Sequence, residues 1–170
     1  MSNDSKCDVK LVFSDGGDPI HMKDKDLLKH MPLIVRAIAS QTPDWETEDV
    51  VVAAPISIPF PRESAEFLFR HVRQYVSPDA RGDAETTLDH YPEAARKTAE
   101  QLKYIIELAN FLECLDFVQC IGFVIAQKLK DWDVAKIAEY MGLEMLEHDD
   151  GYDEDNEWMH PPVQALQRNN

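Results

Sequence analysis

From Phe117 to Leu129 apolar side chains run around much of a helix's circumference: Phe117, Val118, Ile121, Val124, Ile125 and Leu129 recur at helical spacing. A helix apolar on that many sides needs cover from two directions, so the chain must build several elements around it. Water-free lipid is not that cover. Gln119, Gln127 and Lys128 interrupt the run, which is too short to span a bilayer. A partner helix precedes it, marked by Leu102, Ile105, Ile106, Ala109 and Leu112, with Glu113 to Asp116 as the joint. Asp133 is placed to cap a third helix carrying Val134, Ile137, Tyr140 and Met141, and Gly142 ends it.

The N-terminal half has a different period. Val9, Leu11 and Phe13 alternate with polar or smaller residues, and Asp15-Gly16 supplies a hairpin turn before Ile20 and Met22 resume the alternation. Leu27 to His30 reads as a short turn. A helix follows with Pro32 in its first turn, where the missing N–H costs nothing, and with Ile34, Val35 and Ile38 as its buried stripe. The acidic stretch Gln41 to Asp49 is a loop. Val50 to Val52 and Ile56 to Ile58 form one strand interrupted by proline. Pro61 opens a helix with Ala65, Leu68, Phe69, Val72 and Tyr75 at helical spacing, and 77–99 reads as a flexible polar excursion between packed parts. Strands clustered early and helices late make an α+β chain of 170 residues, one domain with an appended lobe.

Charge narrows the partners. Seventeen Lys and Arg against thirty-two Asp and Glu give −15, which argues against nucleic acid, whose phosphates need clustered cations. Eight of the acids fall between Glu144 and Glu157, with Met145, Leu146, Tyr152 and Trp158 among them. That segment is expected to order only against a partner. It is no calcium loop: with Gly151 as the loop glycine, Leu146 and His148 stand where ligands belong. Ser14-Asp15-Gly16-Gly17 lacks the ending of a phosphate loop. Cys114 and Cys120 are not at zinc spacing, and the six histidines form no paired motif. No metal, no cofactor and no enzymatic activity are expected. The N-terminus has no apolar signal segment, and the odd cysteine count suits free buried thiols in the cytosol or nucleus.

The order of these elements resembles the S-phase kinase-associated protein 1 family, the BTB/POZ-fold adaptors of SCF ubiquitin ligases. Glu107-Leu108-Ala109-Asn110-Phe111-Leu112-Glu113 is similar to the family's Leu-Ala-Ala-Asn-Tyr-Leu-Asp helix end. Val9-Lys10-Leu11 with Ser14-Asp15-Gly16, Ile56-Ser57-Ile58-Pro59 and Asp155-Asn156-Glu157-Trp158 resemble its opening strand and turn, a later strand and its terminus. The likeness spans about residues 8 to 158. Asp116 stands where the family has Gly, and Phe111 where it has Tyr, so the chain resembles a divergent member.

The resemblance implies a BTB/POZ-like domain over 1–130, a small sheet plus helices, and a C-terminal helical extension with an acidic tail over 131–170. It implies an adaptor bridging a cullin to F-box proteins in the cytoplasm and nucleus, with no nucleic-acid or membrane partner. A structural adaptor in a kinetochore or chromosome-axis complex without a cullin is the alternative, and a weak homodimer of the same module is a third reading. Asn110 and Phe111 are the expected cullin contacts: the helical period turns Asn110 to solvent and leaves Phe111 at the boundary. Equally, Asn110 could serve as a helix-end cap and Phe111 as core. Val118, Ile125, Leu129, Ile137, Met141, Leu143 and Trp158 are the expected F-box contacts, because these helices carry more apolar surface than they can cover for one another. Val118 and Ile125 fit the domain's own core as well.

Overall fold

Alternation in β1, Cys7–Phe13, sends Cys7, Val9, Leu11 and Phe13 into the core. The computed structural model describes residues 5–82 and 85–144. Contacts divide the chain into two units, Met1–Lys130 and Asp131–Asn170. In the first, β1 is the middle of a four-stranded sheet. On one edge β2, Ile20–Met22, pairs antiparallel, with Val9 opposite Met22 and Leu11 opposite Ile20. Gly16, at φ 76°, takes the left-handed turn conformation between them. On the other edge β3, Val50–Val51, and β4, Ile56–Ile58, both run parallel to β1. Cys7 faces Val50 and Leu11 faces Ile56, so the incoming chain uses two more residues than β1 over the same span. Pro55, with no N–H for a ladder, lies in that interruption.

Helices cover the sheet and one another. Asp24 accepts the Leu27 N–H at 3.1 Å to start α1, Lys25–Leu28. Pro32 opens α2, Pro32–Ala39, where Ile34 and Ile38 are fully buried and Val35 is half-buried. The first residue of α3, Arg62–His71, donates its backbone N–H to the Asp15 carboxylate at 3.1 Å, so the hairpin turn caps this helix. After α4, Pro92–Ala95, a Thr98–Gln101 capping box starts α5, Ala99–Phe111, which packs along α6, Leu115–Leu129.

Three features depart from the sequence reading. The loop over 41–49 is anchored by Trp45, which is buried. On α3 the buried set includes Phe67 and His71 as well as Ala65 and Leu68, because the Phe117 ring of α6 meets Phe67 at 6.5 Å and the Phe67 ring in turn lies against His71. Most consequentially, the stretch 77–99 is pinned rather than loosely slung. Tyr91 and Ala94 are fully buried, and the Tyr91 hydroxyl donates to the Val76 carbonyl at 2.6 Å. Gln119 of α6 donates to Asp79 at 2.9 Å, and Lys128 to the Ala95 carbonyl at 2.8 Å. One aromatic ring in a polar stretch leaves no period to read, which is why the sequence concealed it.

The second unit contains α7, Val134–Met141. Asp133 accepts the Lys136 N–H at 2.7 Å, and Gly142, at φ 70°, closes the helix as its sequence predicts. Trp132 packs edge-on to Tyr140 at 5.7 Å, with the Lys136 ammonium 4.0 Å from the Trp132 ring centroid.

Candidate functional site

The joint between α5 and α6 shapes the surface around Asn110 and Phe111. Glu113 N–H donates to the Asn110 carbonyl at 3.0 Å and Cys114 N–H to the Ala109 carbonyl at 2.8 Å, the paired bonds that close a helix through a left-handed residue. That residue is Glu113, at φ 64°, a conformation Gly adopts more readily. Its carboxylate grips the Arg36 guanidinium of α2 through both oxygens. The paired Arg36 hydrogen bond holds the Glu113 carboxyl below its ordinary range and Arg36 above its own. The Leu33 N–H of α2 also donates to the Leu112 carbonyl at 3.4 Å. The joint is therefore fixed from α2.

On that platform Asn110 is exposed and Phe111 half-buried, its ring 5.6 Å from Phe60. The carbonyl of Asn110 is used by the helix end, while its side chain stays on the solvent side. Beyond the joint, Leu115 is 65% exposed at the start of α6, an apolar residue that sequence reasoning did not single out. It borders an open groove of about 470 Å³ whose other walls include Lys29, Arg73, Tyr75 and Val76. Arg73 is paired with Asp24 at 2.9 Å and Lys29 with Asp26 and Glu46, each at 3.3 Å. The groove's cations are thus already engaged.

The expected F-box residues fall in two places. In the first unit Val118 and Ile125 are half-buried and pack against the core, while Leu129 is half-buried near the end of α6. In the second unit Ile137 is half-buried, and Met141 and Leu143 are 58% and 65% exposed. Trp158 and the acidic segment after Glu144 lie outside the described residues. Val134, which the sequence reading placed on this helix but not among the expected contacts, is 74% exposed and lies two turns from Met141 on the same side of α7. Its seven-residue spacing from Met141 was the available signal.

The buried groups offer little reactive chemistry. Cys7, Cys114 and Cys120 are buried and free. Burial pushes the Cys114 thiol up to about 12 and raises the other two, so all three favour the neutral thiol over the nucleophilic thiolate. His71 lies between Phe67 and Tyr75, with Nδ1 buried and lacking a hydrogen-bond partner; burial lowers its pKa. Among the described residues no three His, Cys, Asp or Glu side chains converge as a metal site, and no helix is long and apolar enough to cross a membrane. No protein-family model matches the chain, and no curated protein matches it significantly.

Proposed function

We propose that the chain is a non-enzymatic adaptor of an SCF-type cullin-RING ubiquitin ligase, with a BTB/POZ-like first unit. A cullin would dock at Asn110 and Phe111, and F-box receptors would use apolar side chains of α6 and of the C-terminal unit. The observation that carries this reading is the pair itself. An exposed amide stands beside a half-buried aromatic ring at a helix end whose sequence resembles the family's. The ring supplies apolar area and the amide supplies direction, the combination that anchors a protein interface. Exposure of Val134, Met141 and Leu143 gives independent support for a partner at the second unit, since large apolar side chains left in water favour association.

An adaptor of this kind contributes geometry. Holding substrate receptor and cullin on one body raises the effective concentration of substrate at the ubiquitin-carrying enzyme, with no bond made or broken in the adaptor. Co-purification from cells tests the reading: a tagged chain should bring down both a cullin and F-box proteins from cytoplasm and nucleus. F-box-like partners without a cullin would replace it with the cullin-independent structural adaptor.

A further inference from the structure

The solvent side of α5 does not end at Asn110. Tyr104 is 48% exposed, although Leu102, Ile105, Leu108 and Ala109 already fill the inward positions of the helix. Seven residues separate Tyr104 from Phe111, so both rings share one side, about 10 Å apart along the axis. Tyr104 also edges a groove of about 220 Å³ beside Pro61 and Gln101. The groove's cation, Lys97, is held by Glu63 at 3.1 Å. Glu100 and Glu107 lie near Tyr104 along the same stripe, exposed and in no ion pair among the described residues; Lys103, close by, has an interaction of its own. Aromatic surface and an excess of carboxylate, Glu100 and Glu107 around the single Lys103, therefore continue the Asn110–Phe111 surface toward the start of α5.

We infer that Tyr104 and Glu107 extend the cullin contact into a band along α5, and that the cullin meets it with apolar side chains and a Lys or Arg opposite Glu107. This rests on the adaptor reading above. Charge complementarity identifies the occupant's chemistry: the chain carries −15 overall, so a basic segment is attracted and an acidic one repelled. Tyr104, exposed and amphipathic, is suited to a contact that the domain's own packing does not require.

The test measures affinity of the full chain for a purified cullin by calorimetry, with F-box binding and thermal melting in parallel. Tyr104→Ala and Glu107→Lys should each weaken the cullin complex about tenfold or more, while F-box binding and melting stay as in the parent. Tyr104→Phe, which keeps the ring, should bind as the parent does. Added salt should weaken the parent complex more than the Glu107→Lys complex. Cullin binding within twofold of the parent in either the Tyr104→Ala or the Glu107→Lys variant overturns the band, even if Asn110→Lys abolishes binding and the adaptor reading stands. A parent chain that binds no cullin overturns both.

Discussion

Replacing Tyr91 tests whether one ring holds the 77–99 stretch against the helices. The hydroxyl donates to the Val76 carbonyl at 2.6 Å, and the ring lies 5.1 Å from Tyr75 and 6.0 Å from Phe123. Tyr91→Phe keeps the ring and removes the bond. The bond is only part-buried and Val76 itself is 45% exposed, so water can replace the lost donor, and the cost should be near the ordinary net value of about 1 kcal/mol. Tyr91→Ala also removes a fully buried ring, and by analogy with other aromatic truncations should cost about 3–5 kcal/mol. At roughly 2–4 °C per kcal/mol, the first variant should melt a few degrees low and the second roughly 6–20 °C low. Urea unfolding followed by circular dichroism gives the energies. Limited proteolysis locates the effect, since the Ala variant should be cut between Ser77 and Tyr91 before the rest opens. A Tyr91→Ala cost below about 1 kcal/mol, with no new cleavage there, would refute the argument that Tyr91 clamps this stretch.

At the proposed cullin surface, Asn110→Lys with Phe111→Lys should abolish cullin binding and spare F-box binding; loss of both activities would identify a collapsed core instead. Stability should respond to pH through His71: burial lowers its folded pKa, so the unfolded chain takes the proton first as pH falls below about 6.5. The contribution is present above that pH and is lost toward the folded pKa. Urea midpoints at about pH 7.5 and 5.5 should differ more in the parent than in His71→Phe, and equal differences would assign the loss to the carboxylates. Native Cys114 should resist iodoacetamide at about pH 8 and react in urea, as peptide mass spectrometry would show; rapid labelling of the folded chain contradicts its burial. Glu113→Gly should raise the melting temperature by a few degrees relative to Glu113→Ala, because both lose the Arg36 contact and only Gly relieves the left-handed backbone.

The parts of the fold legible beforehand were those written in period or in capping chemistry. Val9, Leu11 and Phe13 alternate, Asp133 and Gly142 bracket α7, and the 3.6-residue repeat put Asn110 outside and Phe111 at the edge. Isolated anchors were not legible. Trp45 and Tyr91 are single large rings in polar surroundings, and nothing in one residue's neighbours along the chain says that another element covers it. The face of α3 was read too narrowly for a related reason. A stripe through Ala65 and Leu68 implies one neighbour, whereas Phe67 also meets the Phe117 ring of α6 and covers His71 beside it. At the candidate surfaces, the apolar exposure of Leu115 and Val134 became visible only once the core positions had been assigned. Tyr104 is ambiguous in sequence because its ring suits burial and its hydroxyl suits water.

The pairing of β1 sets the order in which the first unit can assemble. Its antiparallel neighbour follows through a short turn, so the β1–β2 hairpin closes a small loop and can form early. Its parallel neighbours lie more than forty residues away, opposite Cys7 and Leu11, and closing that loop costs entropy before any contact compensates. Until β4 has left the ribosome, a nascent β1 therefore presents one unsatisfied ladder edge beside Val9 and Leu11. An open edge of that kind favours mispairing with other chains, and substitutions that slow the arrival of Val50 to Ile58 should reduce the yield of folded protein more than its final stability.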